Sequence, residues 1–377
     1  MASPQQIRTE ITELFGINHP ILLAGMNVAA GPKLAAAVTN AGGMGVLGGI
    51  NYTPDMLRDQ IGELKAHLND KNAPFGVDLL LPQVGGSARK TNYDYTKGKL
   101  DQLVDIIIES GAKLFVSAVG VPPKHVVEKL HKAGILYMNM IGHPKHAKKC
   151  LALGVDIICA QGGEGGGHTG DIATTILIPA VVEAVKGHKS PLTGKPVQVI
   201  AAGGIHNGPL LAASLMMGAS GVWVGTRFVL SEEAGAPESH KEAVRTASFD
   251  DTVRTLIFTG RPMRVRKNPY IMHWQDERAQ EMKELTANGK IPYEADLDKV
   301  MSGEAQETPA IKASGLLNAS SDDDGDIDDV LDQFRPFLMG QCAAVVNDKK
   351  SAKAIVDEFV NDAVACLKKG TAAVSKL

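Results

Sequence analysis

The sequence predicts an α/β protein that folds as a (β/α)₈ TIM barrel with an inserted, helical lid or subdomain. Short runs rich in Val, Ile and Leu alternate with longer amphipathic segments from Pro20 to about Thr226, as in repeated strand–helix units. The runs are eight in number and almost continuously apolar, which is typical of strands buried on both faces of a parallel sheet. Glycine clusters follow several runs, where the ligand-binding loops of such a barrel lie.

The strand–helix units follow one another along the first 230 residues. The predicted strands are residues 20–24, 44–47, 75–80, 114–119, 135–140, 155–160, 197–202 and 221–224. Helix start signals lie between them, where Thr53-Pro54, Pro122-Pro123 and Pro144 each precede an amphipathic segment. Eight such units favour a closed barrel over an open doubly wound sheet.

The alternation ends after Thr226, where charged helical segments begin. We therefore expect three regions. Residues 1–230 form the barrel, residues 231–319 form a largely helical insertion that covers the barrel mouth as a lid, and residues 320–377 form C-terminal helices that pack on the barrel.

The composition excludes several classes of protein. The chain has 377 residues, of which 44% are hydrophobic, so it is too apolar for a disordered protein. Its formal net charge of −3 argues against nucleic acid as a partner, because phosphate binding needs an excess of basic residues. No apolar stretch approaches the roughly 18 residues that cross a bilayer, so we expect a soluble protein without a membrane partner.

A targeting signal stands at the C-terminus. The chain ends Ser375-Lys376-Leu377, the tripeptide that the peroxisomal import receptor recognises. In a eukaryotic protein this signal predicts a peroxisomal location. In a bacterial protein it has no such meaning, and we then expect a cytoplasmic location.

Two glycine clusters indicate close approach of a ligand to the backbone. Gly25 follows the first predicted strand, where the alternative is an ordinary tight turn. Gly203-Gly204 and Gly225-Thr226 follow the seventh and eighth strands. Loops at these two positions commonly bind phosphate in TIM barrels, so the sequence predicts a phosphorylated ligand.

A third glycine cluster surrounds a histidine. Residues 161–170 read QGGEGGGHTG, and His168 is the side chain in this loop that exchanges protons near neutral pH. Other histidines, such as His131 and His146, lie on predicted helices and are interpreted as packing or surface residues. His168 is therefore the candidate catalytic residue.

Three other features of the sequence carry weaker signals. Residues 43–48 match GxGxxG but enclose a predicted strand, which argues against a dinucleotide-binding fold. The four cysteines are scattered and form no CxxC pair, so we expect no metal site. The run from Arg261 to Lys267 is the densest basic stretch, and it is either a solvated or salt-bridged segment or a contact to an anionic ligand.

The chain resembles the nitronate monooxygenases, the FMN family formerly called 2-nitropropane dioxygenases. The resemblance covers about residues 7–226 and continues beyond the barrel. It rests on FGINHPILLAGM, AVTNAGGMGVLGG, AQGGEGGGHTGD, VIAAGGIHNGPLLAASLMMGASGVWVGTRF and TGRPMRVRKN.

The resemblance implies that FMN lies in the barrel mouth. By this resemblance, Gly25 and Met26 lie against the flavin ring, and Gln161 and Gly166 lie beside it. The phosphate is surrounded by Gly203, Gly204, Gly225 and Thr226. Trp223 and Val224 lead into the phosphate-binding turn. Asp78 occupies a position in FGVDLLL where family members commonly carry Asn. A carboxylate there accepts hydrogen bonds only, unless it is protonated, so the role of Asp78 stays open.

The resemblance also implies an activity. His168 corresponds to the family histidine, which removes a proton from a neutral nitroalkane or stabilises the bound nitronate. The nitronate, for example propionate 3-nitronate, reduces the flavin by one electron, and O₂ completes its oxidation to a carbonyl compound and nitrite. Relatives with the same barrel reduce quinones with NAD(P)H or reduce enoyl thioesters, so these activities are alternatives, as is a flavin-free sensor or isomerase.

Overall fold

The computed structural model describes residues 4, 6–82, 90–301 and 336–374, and these contain eleven strands. They are β1 (Ile21–Leu23), β2 (Gly45–Gly48), β3 (Phe75–Leu80), β4 (Leu114–Ala118), β5 (Leu136–Ile141), β6 (Ile157–Gln161), β7 (Gly167–His168), β8 (Gln198–Ala202), β9 (Gly221–Val224), β10 (Thr252–Thr255) and β11 (Met263–Arg266).

Eight of these strands form the barrel. They are all parallel and follow the order β1-β9-β8-β6-β5-β4-β3-β2. A parallel bridge between Leu22 and Met44 joins the two ends, so the sheet closes on itself. The predicted (β/α)₈ barrel is confirmed, and each predicted strand agrees with an observed one to within two residues at either end.

Helices surround the barrel and continue into the insertion and the C-terminal region. They are α1 (Glu10–Phe15), α2 (Pro32–Asn40), α3 (Pro54–His67), α4 (Leu100–Glu109), α5 (Lys124–Lys132), α6 (Ala147–Ala152), α7 (Thr174–Val185), α8 (Gly208–Met216), α9 (Thr226–Val229), α10 (Glu238–Arg245), α11 (Pro269–Asp276), α12 (Ala279–Ala287), α13 (Pro292–Met301) and α14 (Ala352–Ala372). None of the helices in the described residues is long and apolar enough to span a membrane.

Helix α3 shows how the local sequence specifies an element. The Thr53 hydroxyl accepts a hydrogen bond from the Met56 amide at 3.2 Å, which satisfies one of the free amides at the helix start. Leu57, Ile61 and Leu64 follow at helical spacing and are buried against the barrel. The sequence thus sets both where the helix begins and which face it buries.

The apolar core has two layers, inside the barrel and between the barrel and its helices. On β3, Val77 and Leu79 belong to the outer layer. Because side chains alternate along a strand, Asp78 between them points into the barrel interior. The interior layer of apolar side chains includes Val46, Val116 and Cys159.

The insertion contains helices α10 to α13, and it also contains a hairpin that the sequence analysis missed. Strands β10 and β11 pair in antiparallel register, and β11 pairs with β7 of the barrel loop. Residues 302–319 of the predicted insertion lie outside the described residues.

The C-terminal region supplies one α-helix among its described residues, where the sequence analysis expected helices. Helix α14 packs against α8 and α2 on the outside of the barrel. Before it, residues 336–345 cross the barrel mouth and end in a short 3₁₀ turn, Gln341–Val345. Residues 320–335 and the predicted targeting tripeptide 375–377 lie outside the described residues.

Candidate active site

One side of the barrel mouth is built where β1, β2 and β3 end. A Cβ atom at Gly25 would lie 2.4 Å from Oδ2 of Asp78, so the turn after β1 approaches the β3 side chain as closely as glycine permits. A Cβ atom at Gly48 would lie 2.6 Å from the carbonyl carbon of Met26. The backbone of residues 25–26 is therefore fixed directly above Asp78.

The loops after β8 and β9 form the adjoining side, since β9 pairs with β1. Gly203 and Gly204 have φ values of 96° and 74°, a left-handed conformation that side chains other than glycine rarely adopt. A Cβ atom at Gly225 would lie 3.5 Å from the Met26 sulfur, so the turn after β9 contacts the turn after β1. The predicted ligand-binding residues Gly225 and Met26 are therefore neighbours in space.

Trp223 and Val224 lead into this turn but face different ways. The Trp223 side chain lies in the barrel interior, whereas the Val224 side chain lies in the outer layer, away from the mouth. The Val224 carbonyl accepts a hydrogen bond from the Ala24 amide at 2.9 Å. Val224 therefore supports the turn from below and directs no side chain into the site.

A segment that the sequence analysis missed crosses the site. In residues 336–345, the Gly340 amide donates to the Thr226 hydroxyl at 2.9 Å, and the Gln341 amide donates to the Glu164 carbonyl at 2.9 Å. A Cβ atom at Gly166 would lie 2.6 Å from the Met339 carbonyl carbon. Gly340 lies far along the chain from the glycine clusters, so no local pattern indicated its position.

The glycine-rich loop after β6 is held by its own side chains. Nε2 of Gln161 donates a hydrogen bond to the His168 carbonyl at 2.7 Å, and the Thr169 hydroxyl donates to the Gly162 carbonyl at 2.8 Å. His168 itself lies on β7, opposite Met263 of β11. The barrel and the insertion together therefore fix the backbone of the candidate catalytic histidine.

The His168 side chain reaches the insertion. Its Nε2 lies 3.0 Å from the hydroxyl oxygen of Thr259. Burial, and secondly the positive charge of Arg261, lower the pKa of His168 from 6.5 to about 4. The imidazole is therefore neutral at pH 7 and is free of the proton that it would take from a substrate.

Arg261 connects the insertion to the barrel loops. Its guanidinium donates to the Val119 carbonyl at 3.1 Å and to Oδ1 of Asn92 at 2.7 Å. Val119 follows β4 and has a φ of 66°, which is strained for a β-branched residue. The hydrogen bond from Arg261 is one of the contacts that hold this strained carbonyl at the barrel mouth.

The other arginines of the basic run also contact protein groups. Arg264 donates twice to the Gly163 carbonyl, at 3.0 and 2.9 Å, and Arg266 donates to the Ala243 carbonyl. Arg266 also lies 3.5 Å from Asp251. The run is therefore neither simply solvated nor simply salt-bridged, since its guanidinium groups bind mainly backbone carbonyls of the mouth and the insertion.

A cavity of about 520 Å³ opens beside the mouth, along the loops that follow β1 and β2. Its lining combines apolar and polar side chains and includes Asn27, Val28, Lys33, Tyr52, Gln60 and Glu233. Within the described residues, no three or more metal-ligating side chains form a cluster.

Comparisons with known proteins agree with this architecture. The model of the nitronate monooxygenase family matches residues 8–362. Among solved structures, FabK from Thermotoga maritima superposes with a TM-score of 0.73 and 29% identity, covering 98% of this chain and 100% of the other. Nitroalkane oxidase from Streptomyces ansochromogenes gives a TM-score of 0.72 and 26% identity over 95% and 99% of the two chains.

Curated relatives carry more than one activity in their names. A (3aS,4S,5R,7aS)-5-hydroxy-7a-methyl-1-oxo-octahydro-1H-indene-4-carboxyl-CoA dehydrogenase of Mycobacterium tuberculosis is 33% identical, covering 98% of this chain and 99% of the relative. A probable nitronate monooxygenase of Staphylococcus saprophyticus is 29% identical over 80% of this chain and 90% of the relative. With the family model matching almost the whole chain around a histidine-bearing barrel mouth, this protein is an oxidoreductase that belongs to the nitronate monooxygenase family.

Proposed function

We propose that the protein is an FMN-dependent nitronate monooxygenase that oxidises alkyl nitronates with O₂ to carbonyl compounds and nitrite. The observation that carries this proposal is His168, a neutral imidazole at the barrel mouth with the Arg261 guanidinium acting on it. A neutral base beside a fixed cation suits a substrate that is acidic at carbon or already an anion.

The mouth fits a flavin mononucleotide. Gly25 and Met26 provide a flat backbone surface for the ring, and Gly203, Gly204, Gly225 and Thr226 provide the backbone for the phosphate. Oδ1 of Asp78 is buried below this surface with no hydrogen-bond partner among the described residues, so the site has a polar atom that a ligand would satisfy. Gln161 and Gly166 lie on the adjoining loop.

The chain's own residues account for binding and proton transfer. Nδ1 of His168 takes the α-proton of a neutral nitroalkane or faces the negatively charged nitronate. The contact between Nε2 and the Thr259 hydroxyl orients the ring, and Gln161 holds the His168 carbonyl. When bound, FMN supplies the electron-transfer chemistry that the side chains lack. We further propose that the insertion, residues 231–319, acts as a lid that limits access of water to this mouth.

The decisive experiment mixes the purified protein anaerobically with propionate 3-nitronate and, separately, with NADH or NADPH. Loss of visible flavin absorbance with the nitronate alone supports the monooxygenase. Rapid full reduction by a nicotinamide alone overturns it and favours the NAD(P)H:quinone reductase. A protein that purifies without flavin and takes up no FMN would be a flavin-free sensor or isomerase.

Histidine variants sharpen the test. His168→Ala should slow reduction by a neutral nitroalkane by about 10²- to 10⁴-fold, the usual contribution of a general base. The loss should be smaller with preformed nitronate, which needs no proton removal. His125→Ala on the exposed surface of α5 is the matched control and should leave both rates unchanged.

A second candidate is oxidation or reduction of a CoA thioester. It is favoured by the 33% identity to a carboxyl-CoA dehydrogenase and by the cavity beside the mouth, which offers room for the remote part of a long substrate. Flavin reduction by an acyl-CoA, or reoxidation of the reduced flavin by an enoyl-CoA, would favour this candidate over the nitronate.

Location remains tied to the source organism. We propose that Ser375-Lys376-Leu377 directs import into peroxisomes if the protein is eukaryotic, and that the protein is cytoplasmic otherwise. A fluorescent fusion to the N-terminus, with and without the last three residues, tests this in eukaryotic cells.

A further inference from the structure

We propose that Asp78 is a neutral carboxylic acid in the working enzyme and that its hydroxyl donates a hydrogen bond to the flavin ring. The inference rests on the FMN site proposed above and assigns the protonation state and the role of one residue in it.

The position of Asp78 directs it at the ligand site. It lies near the end of β3, where it pairs with Gly48 of β2 and Val116 of β4, and it is 2% exposed. Above it lies Gly25, which has no side chain, so the backbone of the turn can approach the Asp78 carboxyl closely. The carboxyl group therefore lies directly beneath the turn against which the flavin ring would rest.

The described residues around Oδ1 of Asp78 do not stabilise a negative charge there. Oδ1 accepts no hydrogen bond from any described residue. The neighbouring elements present Gly48, Val116 and the backbone at Gly25, none of which ionises. The titratable group that interacts with Asp78 is the Cys159 thiol on β6, whose own pKa is raised by burial and by Asp78.

Burial alone raises the pKa of Asp78 to about 8. A buried carboxylate without a cation or hydrogen-bond donors is strongly unfavourable, and retaining the proton removes that cost. The neutral acid then carries one O–H donor, whereas the carboxylate carries none. Flavin rings carry carbonyl oxygens and ring nitrogens at their edge. These atoms can accept a hydrogen bond from the O–H group of Asp78.

This assignment predicts how FMN affinity depends on pH. If the protonated form alone binds well, the observed Kd rises as Asp78 ionises, and it should be about tenfold higher at pH 9 than at pH 7. The measurement is fluorescence titration of FMN into the full chain stripped of flavin. Asp78→Asn retains a donor of the same shape at every pH, so its Kd should be the same at both pH values.

A second variant separates Asp78 from its titratable neighbour. Cys159→Ala removes the other ionising group and should keep the wild-type pH dependence. Asp78→Leu removes the donor and should bind FMN weakly at both pH values. Since the wild-type titration needs no variant, the test holds even if Asp78→Leu fails to fold.

Infrared difference spectra report the proton directly. Wild-type protein at pH 7 should show the carbonyl band of a protonated carboxyl group, which Asp78→Asn lacks and which disappears at high pH. This band is measured with or without FMN, so it does not depend on the reaction that the enzyme catalyses.

Three results would overturn the inference. They are the absence of such a band, a wild-type Kd that is equal at pH 7 and pH 9, and an equal pH dependence in Asp78→Asn. In each case FMN binding and nitronate oxidation would still be measurable, so the proposed function would stand. If the protein takes up no FMN at all, the proposed function fails, and the inferred hydrogen bond fails with it.

Discussion

Replacing Arg261 by Gln should raise the pKa of His168. The acid limb of the pH dependence of kcat/KM should then move to higher pH. The pKa of His168 is lowered from 6.5 to about 4, with burial as the larger cause and Arg261 as the smaller one. Removal of the guanidinium therefore restores less than half of the difference, and we expect a rise of about one pH unit, worth roughly 1.4 kcal/mol.

The assay is the pH dependence of kcat/KM with a neutral nitroalkane, which reports groups in the free enzyme. A protonated imidazole cannot accept the substrate proton, so activity falls as the pH falls through the pKa of His168. The wild-type limb should lie near pH 4. An NMR titration of isotope-labelled histidine follows the same ionisation without turnover.

Arg266→Gln on the same hairpin is the matched control. Its guanidinium binds the Ala243 carbonyl and Thr246 and has no effect on the pKa of His168, so the limb should stay in place. Arg261→Gln also removes a contact to the strained Val119 carbonyl, which should lower kcat at every pH. If the acid limb of the kcat/KM profile of Arg261→Gln stays at the wild-type pH, or moves to lower pH, the electrostatic role of Arg261 is refuted.

Three further predictions concern stability. The unfolded chain binds a proton at His168 more readily than the native protein does, so His168 lowers the free energy of unfolding as the pH drops from 6.5 to about 4. In His168→Gln the free energy of unfolding, measured with urea, should depend less on pH in this range. In Gly62→Ala on α3 the new Cβ atom meets no atom within 4 Å, so the variant should stabilise the folded protein by about 0.5–1 kcal/mol. In Gly45→Ala the new Cβ atom lies 1.9 Å from the Ala35 carbonyl oxygen, so the variant should destabilise it by about 1–3 kcal/mol or more. Thermal unfolding compares the two variants. Asp296→Ala leaves Tyr270, Trp274 and Arg278 without their shared acceptor, so hydrogen exchange should accelerate across α11–α13 while the barrel strands stay protected.

The barrel was predictable because its signals are local. Each strand is a short apolar run, and the start of a helix such as α3 is specified by a cap residue and a proline. The identity of the candidate catalytic residue was accessible for the same reason, since His168 stands within a run of glycines. Nothing beyond the order of residues was needed for either prediction.

The rest of the site depends on contacts between distant parts of the chain. The hairpin β10–β11 was missed because β11 reads MRVR, a basic segment whose strand conformation depends on pairing with Gly167 and His168. Gly340 was missed because its partner, Thr226, is 114 residues away. The protonation state of Asp78 could not be inferred either, because it depends on burial and on the groups that surround the carboxyl in three dimensions.

The pairing of β7 with β11 also bears on the order in which the protein becomes active during synthesis. All eight barrel strands have left the ribosome once residue 224 has emerged, but the partner of His168 begins at Met263. A nascent chain that stops between these points holds all eight barrel strands, but His168 still lacks Thr259 and β11. The contacts that fix His168 therefore require a part of the chain that is synthesised after all eight barrel strands.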